Sequence, residues 1–247
     1  MMTWEWLIKT LDEEDKMRKG LYVSLVMIFV TMGLLTSCTA VAVDTSTPEA
    51  RTPGGPYQAT DFSGLLGMEG FSDTLLQNHF RLYQGYVKNT NLLAENLQTL
   101  LKVGKTDVPE YAEQKRRFGF EFDGMRLHEY YFGNLGGKAE LDPKSPLYAA
   151  LVREFGSYSV WRKDFIATGA MRGIGWVILY LDPHSGRLFN SWINEHETNH
   201  LAGCKAILVM DVFEHAYLTD YQLDRARYIE AFFKNINWEA TAKRYSK

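Results

Sequence analysis

Cysteine is scarce: Cys38 and Cys204 are the only two in 247 residues. They stand far apart, and a processing motif described below claims Cys38. No disulfide framework is implied. A strong excess of either charge is also missing. With a formal net charge of −3 at pH 7, nothing points to a nucleic-acid surface. The chain has no internal repeat, nucleophile elbow, phosphate-binding loop or dinucleotide fingerprint. What remains is 46% hydrophobic and 14% aromatic, enough to core one globular unit or two closely packed halves.

The start reads as a targeting segment. Residues 20–36, G-L-Y-V-S-L-V-M-I-F-V-T-M-G-L-L-T, carry no charge and follow Lys16, Arg18 and Lys19. A basic stretch before an apolar one is the pattern of a signal peptide. It closes on Leu35-Thr36-Ser37-Cys38, which resembles the bacterial lipobox. That resemblance implies a diacylglyceryl group on the Cys38 sulfur, cleavage before it, and a domain held outside the cytoplasm by acyl chains. Residues 1–15 are acidic and do not suit such a segment, whereas Met17 opens M-R-K-G-L-Y-V; translation is expected to start there. The alternative is an uncleaved membrane anchor, for which the apolar run is barely long enough. We read 1–38 as the signal segment. Residues 39–56 are small, polar and rich in Pro and Gly, a flexible tether.

The rest is expected to be α+β: a helical hairpin over 57–142, then an α/β part over 143–247 with a three-stranded antiparallel sheet. Ser72 or Asp73 can cap a helix whose inward face carries Leu75, His79, Leu82 and Tyr86. A second long helix runs from Pro109 to Phe132, charged first and aromatic later, with His128 in its apolar part. Gly124, one turn earlier, lets another element approach closely. A Gly-rich break over 133–143 separates the halves. Beyond it, 145–155 and 158–171 read as helices. Residues 173–182 read as a buried strand and 187–194 as its partner, joined by a turn in which His184 is solvated. The segment 206–210 reads as the third strand.

The third strand ends in Asp211, which can cap a new helix. His215, four residues on, comes round to its side. A carboxylate and an imidazole leaving a buried strand are expensive without a partner, and a metal ion would supply one. The inward candidates are therefore His79, His128, Asp211 and His215. Three imidazoles and a carboxylate suit zinc, iron or manganese alike. His196 and His200 lie in the loop before the third strand. Each could be a ligand, an outer donor or a surface polar group.

D-V-F-E-H-A-Y at 211–217 resembles the signature D-x-[WF]-E-H-[STA]-[FY] of the iron/manganese superoxide dismutases. F-G-S-Y-S-V-W-R-K-D-F at 155–165, G-I-G-W-V-I-L at 173–179 and Y-I-E-A-F-F-K-N-I-N-W-E at 228–239 are similar to the family's other anchors, in the same order. The resemblance implies dismutation of superoxide to oxygen and hydrogen peroxide on one iron or manganese ion per subunit. It implies His79, His128, Asp211 and His215 as metal ligands, and Tyr86 as the gateway tyrosine. His196 takes the outer position that hydrogen-bonds metal-bound solvent. Trp176 and Phe213 belong to the aromatic shell, and Glu214 reaches the ligand histidine of a second copy in a homodimer. His196 with Gly124 is similar to iron-type members, which favours iron. Two departures stand out. The family has eight residues from first ligand to gateway, whereas His79 to Tyr86 is seven, and eight back from Tyr86 is Asn78. Leu82 or Tyr83 stands where relatives carry a histidine. The rivals are a non-enzymatic metal-binding or structural relative with the same fold, and a zinc hydrolase using Glu214 as its base.

Overall fold

The computed structural model describes residues 55–137 and 140–246; the signal segment, the proposed start at Met17 and nearly all of the tether lie outside them. Residues from Gly54 onward form one compact unit. Two long helices come first, α1 (Asp73–Lys102) and α2 (Pro109–Phe132). Ser72 caps α1 by accepting the Leu75 N–H, and Asp73 in the first turn suits the positive helix end. Proline opens α2, where its missing N–H costs nothing. The buried stripe of α1 is Leu75, His79, Tyr83 and Val87, a strict four-residue step. Leu82 is only half-buried, and the inward place expected for it belongs to Tyr83. Asn78 is exposed while His79 is buried, so the seven-residue spacing stands.

Helices α3 (Pro146–Phe155) and α4 (Tyr158–Gly169) follow, then β1 (Gly175–Leu181), β2 (Leu188–Asn194) and β3 (Lys205–Asp211). The sheet is antiparallel in the order β2-β1-β3. Every residue of the central strand β1 is buried, as its unbroken apolar run predicts. Register places Trp176 opposite Asp211 on one side and Ile193 on the other. His184 sits exposed in the β1–β2 turn.

After β3 the expected helix does not form. Asp211 Oδ1 accepts the Phe213 N–H at 2.8 Å, a local turn that competes with helix capping. Residues Glu214–Ala216 make a single 3-10 turn. The chain beyond is helical in three short pieces, α5 (Leu218–Tyr221), α6 (Arg225–Lys234) and α7 (Trp238–Ser246). Gln222, at φ 50°, ends α5, and Asp224 caps α6 through the Arg227 N–H. Among the described residues no helix is long and apolar enough to cross a membrane.

Strand β3 is an edge strand, and Asn134 covers its open side. The Asn134 amide accepts the Val209 N–H at 3.0 Å and donates to the Val209 carbonyl at 3.2 Å, as a neighbouring strand would. Asn134 is fully buried. Replacing it with alanine leaves two main-chain groups without partners, each worth about 1–3 kcal/mol. N134A is expected to lose about 2–5 kcal/mol in urea unfolding at neutral pH; a loss below about 1 kcal/mol would show that the strand edge does not depend on it.

Candidate metal centre

The end of β3 meets the α1–α2 hairpin at Asp211. One oxygen of this buried carboxylate, Oδ2, faces three imidazole Nε2 atoms: His215 at 3.1 Å, His79 at 3.2 Å and His128 at 3.8 Å. All four candidate ligand atoms lie within 4.8 Å of one another. His79, His128 and Asp211 are fully buried, and the His215 side chain keeps 28% exposure.

The hydrogen bonds fix which nitrogen of His128 is free. Its Nδ1 lies 2.5 Å from the Gly124 carbonyl, which can only accept, so Nδ1 carries the hydrogen. The Nε2 lone pair is then left buried, aimed at Asp211, with no hydrogen-bond partner. A cation is what such an atom requires. Burial holds His79 and His128 below the ordinary histidine range, so both are neutral donors near pH 7. Asp211 is opposed by burial but held ionised by His215 and His79, well below the usual carboxylate range. Three imidazole nitrogens and one anionic oxygen fit a borderline divalent or trivalent ion. Cys204 is a free thiol outside this group.

The profile of the iron/manganese superoxide dismutases, C-terminal domain, matches residues 143–244. The superoxide dismutase [Fe] of Aquifex pyrophilus is 38% identical over 187 residues, covering 73% of this chain and 86% of that one. The chain belongs to the iron/manganese superoxide dismutase family. The superoxide dismutase [Fe] of Aquifex aeolicus is 37% identical, covering 77% of this chain and 91% of its own. Superoxide dismutase [Mn] 2 of Haloferax volcanii is 31% identical, covering 70% and 85%. Membership leaves iron and manganese as the family's metals for this site.

Around the four side chains this dismutase-family centre is aromatic. The His128 ring meets Trp176 at 5.0 Å and Tyr86 at 5.2 Å, and Phe213 stacks on His215 at 5.2 Å. His196 is fully buried here, although its loop carries a run of polar residues. The Trp176 indole N–H donates to its Nδ1 at 3.1 Å. An indole cannot accept, so the hydrogen of neutral His196 sits on Nε2 and points at Tyr86 Oη, 2.7 Å away. The hydroxyl hydrogen of Tyr86 is thereby left to donate elsewhere. Burial lowers the His196 pKa to about 4, which keeps the ring neutral. Burial, with the charges of Asp211 and Glu121, pushes the Tyr86 phenol above its ordinary value. Glycine at 124 makes the approach possible: a Cβ there would come within 2.6 Å of the Tyr86 ring.

Two contributors escaped sequence reasoning. Tyr228 donates to the Asp211 carbonyl at 2.6 Å, and Tyr131, 3.1 Å away, donates in turn to Tyr228 because Tyr228's one hydrogen is used. Both look like ordinary core aromatics in sequence, and only their long-range partners reveal them. Tyr83 accepts the Thr60 N–H and donates to Glu129 on α2. Glu214 is exposed beside His215.

The neutral histidines make a pH prediction. His79, His128 and His196 all have folded pKa values below the unfolded value of about 6.5. The unfolded chain therefore binds protons that the fold refuses. Stability is full above about pH 6.5 and falls as pH drops towards 4. For His196 alone the loss at pH 4.5 is about 2–3 kcal/mol. Metal-free protein is expected to show at least that decrease between pH 7 and 4.5 in urea titrations; equal stability at both would refute the neutral assignment.

Proposed function

We propose that the chain is a superoxide dismutase, converting two superoxide anions and two protons into oxygen and hydrogen peroxide. The observation that carries this reading is the orphaned Nε2 of His128, aimed with two further imidazoles at Asp211 in a chain of this family. His79, His128, Asp211 and His215 would hold the ion. Iron or manganese held there would supply the one-electron redox chemistry that dismutation needs.

The chain's own residues do the rest. Asp211 contributes the one negative charge, and its hydrogen bond from the Phe213 N–H tempers that charge. Trp176 holds His196 in one tautomer, and His196 holds Tyr86. Tyr86 and His196 are the groups we assign to ordering solvent and delivering protons at the site. The surrounding rings keep the centre dry, which strengthens every charge interaction within it. Iron is the metal favoured by the names of both Aquifex relatives. The test is direct: protein loaded separately with iron, manganese and zinc is offered superoxide by pulse radiolysis. Catalytic decay with iron or manganese supports the reading. Decay with neither, or hydrolytic activity with zinc, favours the structural or hydrolase rival.

Homodimerisation through Glu214 belongs to the same proposal. Glu214 is exposed next to a partly exposed His215, a pair suited to contact a second copy. E214A is expected to shift sedimentation from dimer to monomer at micromolar concentration; an unchanged dimer would remove Glu214 from the interface.

We also place the protein outside the cytoplasm on a lipid anchor at Cys38, with translation from Met17. The support is the apolar segment over 20–36 and its closing L-T-S-C. Mass spectrometry of membrane-extracted protein is expected to find a lipid-modified Cys38 as the first residue; a peptide from residues 1–15 would contradict this.

A further inference from the structure

We infer that His200 is a positioning residue for His196, fixing the main chain of the loop that delivers the His196 ring to the metal centre. The inference rests on His196 being an active-site group, as proposed above. The loop over 195–204 joins β2 to β3 and is unusual in its backbone. Glu195 at φ 52° and Asn199 at φ 77° both lie in the left-handed region, on either side of His196. Such residues hold their place only when the surroundings over-determine them. The mutual main-chain bridge of Asn194 and Thr198 closes the base of the loop but leaves the His196 carbonyl unused.

His200 takes that carbonyl. Its Nε2 lies 2.7 Å from His196 O, and its Nδ1 lies 2.7 Å from the Tyr180 hydroxyl. The carbonyl fixes the arrangement. The carbonyl only accepts, so Nε2 carries the hydrogen. Nδ1 is then the atom that bonds the Tyr180 hydroxyl. A merely solvated surface histidine has no reason to satisfy both nitrogens on buried partners. Tyr180 is itself nearly buried, on β1, four residues beyond Trp176. The two-residue period of a strand puts both side chains on one face. Strand β1 thus holds residue 196 twice, at the ring through Trp176 and at the carbonyl through Tyr180 and His200. Asp123 Oδ2 on α2 stands 3.7 Å from His200 Nε2, beyond hydrogen-bond reach.

The test uses metal-loaded H200A, H200Q, Y180F, H196A and the double variant H196A/H200A. Metal content per chain, superoxide turnover and amide hydrogen exchange of residues 195–204 are measured on each. In H200A metal content is expected to stay unchanged and turnover to fall about tenfold, the lower end of what outer partners of metal sites contribute. Y180F falls less, and H200Q, which keeps a donor for the carbonyl, recovers part of the loss. In the H196A background H200A adds nothing, because its only route to the metal is gone. Loop amides exchange at least about tenfold faster in H200A, with the strands unaffected. Additive losses in the double variant, or unchanged loop exchange in H200A, would overturn the inference. If H200A does not fold, the same two readouts on Y180F decide. A wild-type protein inert towards superoxide defeats the dismutase reading alone, and loop exchange still decides whether His200 holds the loop.

Discussion

H128A is expected to emerge without its metal and with superoxide turnover reduced more than about a hundredfold. Losing an outer partner of a metal ligand typically costs 10–100-fold, and losing the ligand itself exceeds that. His128 is the sharpest choice among the four. Its Nδ1 is committed to the Gly124 carbonyl, so Nε2 has no use in this fold other than as a donor to a cation. The apo fold should survive, because alanine suits α2 and removes a buried polar atom that lacked a partner. Metal analysis and turnover are therefore read beside urea unfolding. Full metal occupancy in H128A would remove it from the ligand set.

W176F is the second large effect. Trp176 is fully buried and, among the described residues, donates the one bond that the His196 Nδ1 receives. Phenylalanine keeps an aromatic ring but leaves Nδ1 bare. The hydrogen of His196 is then free to move to Nδ1, and the Nε2–H to Tyr86 is no longer enforced. Turnover is expected to fall about 10–100-fold, with metal content retained. Stability should fall by about 1–3 kcal/mol for the unsatisfied nitrogen. Loss of stability with unchanged turnover would mean that His196 needs no fixed tautomer.

Much of this centre was legible in the sequence. The apolar run closing on Asp211 and the imidazole four residues later are a local pattern, and local patterns survive folding. The place of Gly124 was legible too, because a glycine inside an aromatic helix marks a close approach by a neighbouring element. His79 was legible from helical phase, which put it on the inward face with Tyr86, although the family's spacing pointed one residue back, to Asn78. The burial of His79 and the exposure of Asn78 agree with the phase. The helix expected after Asp211 failed because a side chain capped its own second neighbour instead. Asn134, Tyr228 and His200 were out of reach for another reason. Each acts through partners that topology brings together: Val209 for Asn134, Asp211 for Tyr228, and Tyr180 for His200. Nothing in residue type or spacing marks such pairs.

Anomalous X-ray diffraction from crystals of the purified protein, recorded across the iron, manganese and zinc absorption edges, addresses the central claim. One peak at the iron or manganese edge, enclosed by Nε2 of His79, His128 and His215 and Oδ2 of Asp211, is the expected result. A peak at any other place, or one that responds only at the zinc edge, would contradict it.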